Sequence, residues 1–245
     1  MAEQSCLATN DWICGEYLRS RSQELADATV QHVGITVVSV LIGLAVAFPL
    51  ALLARRGPRF AAPVLGLTTV LYTVPSLAMF SLLLPLFGLS AALVVTGLVL
   101  YSLTILVRNI LAGLDAVPQE AKEAARGMGY GPGRLLWEVE LPLALPAVMA
   151  GLRIATVSTV ALTTVGSLVG KGGLGNLIED ALPSFFKAQV LTAAVLCVVL
   201  AVVADLLLLG LQRLLTPWTR ISGAAEAAPA KTDAGPPAPA TVKAG

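Results

Sequence analysis

The sequence predicts an all-α polytopic membrane protein with about five transmembrane helices, its N-terminus outside and its C-terminus in the cytoplasm. Three observations carry this. Of the 245 residues, 56% are hydrophobic and only 13% are charged, with a mean hydropathy of +0.83. A water-soluble domain carries about 25% charged residues, so a soluble globule is excluded. Long stretches hold no charge at all, and about 20 apolar residues suffice to cross the hydrocarbon of a bilayer. The basic residues that end these stretches gather on one side.

The elements follow in chain order. Residues 1–30 read as an external N-terminal segment. Its charges (Asp11, Glu16, Arg19, Arg21, Glu24 and Asp27) interrupt any apolar core, so no cleavable signal is expected and the first apolar run remains as an anchor. Cys6 and Cys14 lie there, a disulfide candidate in an oxidising compartment, against the alternative of two free thiols in a loose tail. Residues 33–54 are charge-free and form the first span, ended by Arg55, Arg56 and Arg59. Residues 60–107 are charge-free and suit two spans, with a turn at Phe87, Gly88, Leu89 and Ser90 and with Arg108 beyond. A polar segment covers 109–140. The fourth span is 143–168, interrupted only by Arg153. A second polar segment, 170–187, precedes the fifth span at 188–211, which contains Asp205 and Cys197. Cys197 reads as a small apolar packing residue. The membrane domain thus runs over 31–215. The Ala, Pro and Gly tail at 216–245 cannot bury a core and is expected to be disordered.

Orientation comes from the positive-inside rule. With the N-terminus outside, the inner face holds Arg55, Arg56, Arg59, Arg108, Lys122, Arg126, Arg134, Arg213, Arg220, Lys231 and Lys243, with Arg153 in reach. The outer face holds only Arg19, Arg21, Lys171 and Lys187, so twelve cations stand against four. An odd number of spans agrees, because it puts the termini on opposite sides.

The polar stretch on the inner face reads as a short helix, a glycine break and a second helix. Pro118 suits a first turn, and the residues from Gln119 to Arg126 are good helix formers. Gly127, Gly129, Gly131, Pro132 and Gly133 then stop it, and Pro142 and Pro146 mark the start of the next span. An ordinary solvated loop is the bland alternative.

The spacing here is Glu123-Ala124-Ala125, three residues, Gly129, nine residues, Val139, one residue, Leu141-Pro142. It resembles the EAA motif of binding-protein-dependent ABC importer permeases at every fixed position. The sequence is therefore identified as similar to that family, and to the small type I permeases with five spans. Further stretches resemble its osmoprotectant branch, which serves glycine betaine, choline and carnitine. They are Thr73-Val74-Pro75-Ser76-Leu77-Ala78, Pro85-Leu86-Phe87-Gly88, Val107-Arg108-Asn109, Val165-Gly166 and Gly172-Gly173-Leu174-Gly175-Asn176-Leu177-Ile178. The resemblance implies a helix that docks on an ATP-binding subunit and passes its motion to the spans. Glu123, Ala124, Ala125, Met128, Gly129, Leu141 and Pro142 would do the coupling, with Ala121, Ala124, Ala125 and Met128 as a docking face. It also implies two ATP-binding subunits, a second copy or a homologous second permease, and an external solute-binding protein. The setting would be a bacterial inner membrane. A permease for amino acids such as methionine is the alternative within the same family.

Two stripes of hydroxyls are candidates for the solute path: Thr68, Tyr72 and Ser76 beside Pro75 in the second span, and Thr156, Thr159, Thr163 and Ser167 in the fourth. Close helix packing is the competing explanation. Asp205 is the one acid within a span, which raises a proton-coupled carrier as a second hypothesis. The favoured reading is structural, a bond to Ser or Thr or pairing with Arg213, while Arg153 is expected to snorkel to the interface. An intramembrane enzyme fails on inventory, since no His-Glu-x-x-His, paired intramembrane Asp or Gly-x-Ser-x-Gly occurs and His32 is the single histidine. Gly166 to Gly172 misses a phosphate loop by one residue and lacks its hydroxyl. ATP is therefore assigned to a separate chain, and neither a cofactor, a metal nor a nucleic-acid partner is expected.

Overall fold

A computed structural model describes residues 5–218. It is helical throughout, in the order α1 (Gly15–Ser20), α2 (Ser22–Ala54), α3 (Pro58–Thr73), α4 (Ser76–Phe87), α5 (Ala91–Asp115), α6 (Gln119–Gly127), α7 (Pro132–Leu135), α8 (Leu141–Thr163), α9 (Leu174–Ala181) and α10 (Lys187–Leu215). A π-helical turn, Leu136–Glu140, joins α7 to α8, and a 3-10 segment, Thr164–Val169, extends α8. Four runs are long and apolar enough to cross a membrane: α2, α5, the continuous Pro132–Val169 and α10. The pair α3 and α4 makes the fifth when its bend counts as one crossing.

The core lies where α2, α5 and α8 meet. α5 is sandwiched between the other two and buries Leu98, Leu106, Val107, Ile110 and Leu114 almost completely. Lipid tails are as apolar as leucine, so membrane helices associate through close packing rather than by exclusion from water. The facing residues are accordingly small: Ala47, Ala51 and Ala54 on α2, and Ala144 and Ala155 on α8. Gly151 shows how close the approach is. A Cβ on it would stand 2.3 Å from the Cβ of Asn109 on α5. The pair α3 and α4 packs on the outside of α5, and α10 packs on α8 and α9.

Three boundaries differ from the sequence expectation. The helix of the first span, α2, starts at Ser22 and not near 33, because the residues before the apolar run are good helix formers and continue the same helix. At 33 residues α2 is about 50 Å long and exceeds the hydrocarbon. The second span is not one helix. Val74 (ψ 127°) and Pro75 (ψ 137°) are extended, and α3 meets α4 at 101°. A proline disfavours helical geometry in the residue before it, which breaks the chain at Val74. Within the second polar segment α9 forms an amphipathic helix that buries Leu174, Leu177 and Ala181. The expected disordered tail lies outside the described residues beyond Trp218.

The N-terminal segment is not a loose strand of chain. The Cys6 and Cys14 sulfurs are bonded, with their Cα atoms 5.5 Å apart. The enclosed Asn10 takes the left-handed conformation (φ 52°) and reaches the start of α10. Its Nδ2 donates to the Phe185 carbonyl at 3.0 Å, and its Oδ1 accepts from the Lys187 N–H at 3.0 Å. Tyr17 is buried and stands edge-on to Phe186 at 5.3 Å. His32 is fully buried nearby and holds the Val160 carbonyl at 3.0 Å, which requires a proton on its Nε2.

Candidate functional site

The segment that carries the EAA-like motif begins where α5 ends. Pro118 stands just ahead of α6, where its missing N–H costs nothing. α6 buries Lys122 and Ala125 and leaves Glu123, Ala124 and Met128 exposed, Met128 at 70%. This corrects the expected docking face. Ala125 lies on the inner side of α6, which packs against the π-helical turn, and is fully buried. Ala121 is half-buried. The outward face is therefore carried by Glu123, Ala124 and Met128. Past Met128, Gly129 closes the helix at φ +84°, a conformation that costs a residue with a Cβ about 1–2 kcal/mol. Leu141 and Pro142, both half-buried, start α8. Pro142 has no N–H and its ring crowds the carbonyl four residues back. The preceding turn widens to accept it, so that the Leu141 N–H bonds the Leu136 carbonyl.

Sequence reasoning missed the joint that fixes this segment. Arg55, one residue beyond α2, makes a bidentate pair with Glu140, at 2.6 Å for both Nη1 to Oε2 and Nη2 to Oε1. The Glu140 side chain is 5% exposed and that of Arg55 26%. Lys122 and Arg126 on α6 add to the positive field on the same carboxylate. The pair thus ties the π-helical turn to the end of α2. The available signal was that Glu140 is the acid next to the fourth span while Arg55 ends the first.

The path residues separate into different surroundings. Ser76 lies on α4, beyond the bend, so it does not share a helical face with Thr68 and Tyr72. Ser167 lies past the end of α8 and lines a surface hollow with Asn176 and Asp180. Thr156 lines an apolar cavity of about 350 Å3 between α2, α8 and α10, whereas Tyr72 and Thr159 share a small one of about 20 Å3 between α3, α5 and α8. Thr156, Thr159 and Thr163 each donate to the carbonyl four residues back. Thr68 is buried and donates to the Leu65 carbonyl. The two stripes are therefore not continuous facing surfaces. They meet at Tyr72 and Thr159, where Tyr101 and Ser102 of α5 join them. Tyr101 was not anticipated. Its hydroxyl donates to the Val74 carbonyl, a group freed by the break before Pro75, and its ring stands edge-on to Tyr72 at 6.1 Å.

The two charges inside the spans find each other. Arg153 Nε and Nη2 reach the two carboxylate oxygens of Asp205 at 2.8 and 2.7 Å, joining α8 to α10. This replaces the expected snorkelling of Arg153 and the expected partners of Asp205. An acid held bidentately by a guanidinium is a structural tie between helices.

The comparisons with known proteins agree on one family. Its profile, described as "Binding-protein-dependent transport system inner membrane component", matches residues 39–221. The chain is similar to the osmoprotectant import permease protein OsmW of Salmonella typhimurium, at 36% identity over 206 residues, 82% of this chain and 96% of that one. It is similar to the choline transport system permease protein OpuBB of Bacillus subtilis, at 33% over 202 residues, 82% and 93% of the two chains. The carnitine transport permease protein OpuCB of Listeria monocytogenes shares 34% over 201 residues, 82% and 92%. Among solved structures, the inward-facing MetNI methionine ABC transporter matches with a TM-score of 0.73 at 22% identity, over 80% of this chain and 98% of that one. That likeness carries the fold alone. From the motif, the four to five candidate crossings among the described residues and these relatives, the chain belongs to the inner-membrane components of binding-protein-dependent transport systems and is the permease subunit of an ABC importer.

Proposed function

We propose that this permease imports quaternary-ammonium compatible solutes of the glycine betaine, choline and carnitine class. The observation that carries the reading is that relatives named for osmoprotectant, choline and carnitine transport match at 33–36% identity across more than nine-tenths of their own length. The N-terminus is placed outside, the α6 end in the cytoplasm and the chain in a bacterial inner membrane, as the charge bias requires. Two separate ATP-binding subunits hydrolyse ATP. Each receives the exposed face of α6 (Glu123, Ala124 and Met128) in a groove, while Gly129, Leu141 and Pro142 fix how α6 joins α8. A second permease, identical or homologous, completes the path, and an external binding protein delivers the solute. Within the membrane the solute passes the meeting point of Tyr72, Thr159, Tyr101 and Ser102 beside the Pro75 break. Hydroxyls already bonded to backbone carbonyls, beside aromatic faces, offer only weak contacts, which suit a cation that must be released again.

Uptake of labelled choline and glycine betaine, in cells lacking other osmoprotectant importers, tests the cargo. ATP-dependent uptake, blocked by each of the two solutes in excess, is expected. Uptake of methionine that neither solute inhibits would move the assignment to the amino-acid branch. Cysteine replacements at 72 and 159, probed with a small water-soluble thiol reagent during turnover, test the path. Reactivity no greater than at lipid-facing controls returns both residues to packing.

A further inference from the structure

We propose that the cleft between the N-terminal disulfide loop and the start of α10 is a phospholipid site, with Lys187 as its phosphate ligand and its apolar wall holding part of one acyl chain. The cleft measures about 260 Å3 and is walled by Trp12, Leu182, Phe185 and Val190, with Lys187 at its rim. Its position is set by α10. This helix starts at Lys187 and is apolar enough to cross the membrane, so Lys187 sits at the boundary between headgroups and hydrocarbon. Val190 lies one turn further in. A groove that begins at a cation and continues along the first turn of a membrane helix has the polarity of a lipid: charged end outermost, chain inward.

The apolar wall is built, and it faces outward. Trp12 is 57% exposed, Leu182 57% and Phe185 79%. Phe185 is held at φ +50°, which an aromatic residue rarely adopts. It is fixed there because Asn10 bonds its carbonyl, and Asn10 is itself enclosed by the Cys6–Cys14 bridge. The same side chain bonds the Lys187 N–H. One residue thus sets the positions of both the aromatic wall and the cation. An aromatic ring with a lysine beside it is the pairing favoured at membrane interfaces.

Charge decides for a lipid over a protein loop or a second acyl surface. The Lys187 Nζ stands 5.9 Å from the Trp12 ring centroid. Among the described residues no carboxylate stands within ion-pair distance of it, as is also true of Arg19, Arg56, Arg59 and Lys171; what sets Lys187 apart is that it borders an apolar cleft. A phosphate seated on Lys187 supplies the missing anion while its chain covers the exposed rings. The inference does not depend on which side of the membrane the loop occupies.

Trp12 is its own reporter. The full chain with Trp137→Phe and Trp218→Phe retains Trp12 as the sole tryptophan of three. It is reconstituted in vesicles of phosphatidylcholine containing brominated phosphatidylglycerol, and in vesicles of the reverse labelling. Bromine on acyl chains is expected to quench Trp12. The anionic lipid should be preferred about five-fold, the ratio that roughly 1 kcal/mol per basic residue at an anionic surface corresponds to. Lys187→Gln should remove the preference and Lys187→Arg keep it. If the double tryptophan variant does not fold, the difference in quenching between wild type and Trp12→Phe gives the same reading. Trp12 unquenched by either lipid overturns the site, as does a preference unchanged in Lys187→Gln. Trp12 that ignores lipid and responds to an added solute-binding protein assigns the cleft to a protein partner and also overturns it.

Discussion

Glu140→Gln removes the charge that joins the coupling segment to α2 and keeps the side-chain size. Two hydrogen bonds at 2.6 Å to a guanidinium are weakened. Hydrogen bonds to charged groups contribute about 1.5–3 kcal/mol each. The full sum is not lost, because Arg55 is 26% exposed and its freed guanidinium turns to water. The net loss is about 2–3 kcal/mol, or roughly a 30- to 150-fold fall in the ratio of joined to parted segment. Arg55→Met is expected to be worse. It strands a carboxylate that is only 5% exposed, and breaking such a pair from one side costs about 3–5 kcal/mol. Replacing both, with Arg55→Met and Glu140→Leu, should recover most of the stability, because no charge is then left without its partner. Thermal unfolding of the purified protein measures this. In reconstituted complexes, the ratio of solute moved to ATP hydrolysed should fall in the single variants. Single effects that simply add in the double variant, or a milder Arg55→Met than Glu140→Gln, would refute the reasoning.

Four further outcomes are expected. Asp205→Asn should lower the amount of inserted protein by loosening α10 from α8, and the exchanged pair Arg153→Asp with Asp205→Arg should restore it in a membrane-fraction blot. Gly129→Trp should insert normally yet uncouple, because a Cβ at φ +84° is strained by about 1–2 kcal/mol and α6 must shift; transport and ATPase rates at equal abundance check it, and wild-type transport would remove this segment from the coupling role. Tyr101→Phe leaves the Val74 carbonyl without its donor at the bend, so uptake should drop while insertion is unchanged. Peptide mass spectrometry without reduction should recover Cys6 and Cys14 linked; free thiols at both positions would count against the bridge.

Much of the architecture was legible because membranes impose a coarse code. Charge-free runs marked the crossings, and arginines at 55, 56, 59 and 108 marked their ends. The motif around Gly129 located α6, its glycine terminator and the start of α8 at Pro142. What stayed hidden depends on distance in the chain. Arg55 meets Glu140 across 85 residues and Arg153 meets Asp205 across 52, and no local period encodes either encounter. The bend at Val74 was half visible: Pro75 announced a lost hydrogen bond, but not that two successive residues would be extended. Ala125 illustrates a limit of motif reading. Its place in the pattern says that it matters and not which way it points. The hydroxyl stripes assumed straight helices, and Ser76 and Ser167 fell off when the helices bent or ended.

Asn10 bonds the Phe185 carbonyl across 175 residues, and the N–H of Lys187 across 177. This fastening has a consequence for biogenesis. The loop is translated before the helix it grips. Until that helix is in place, Trp12 and Tyr17 lack Lys187 and Phe186 to lie against. Chains stopped before residue 185 would carry a disulfide loop that has nothing to close on.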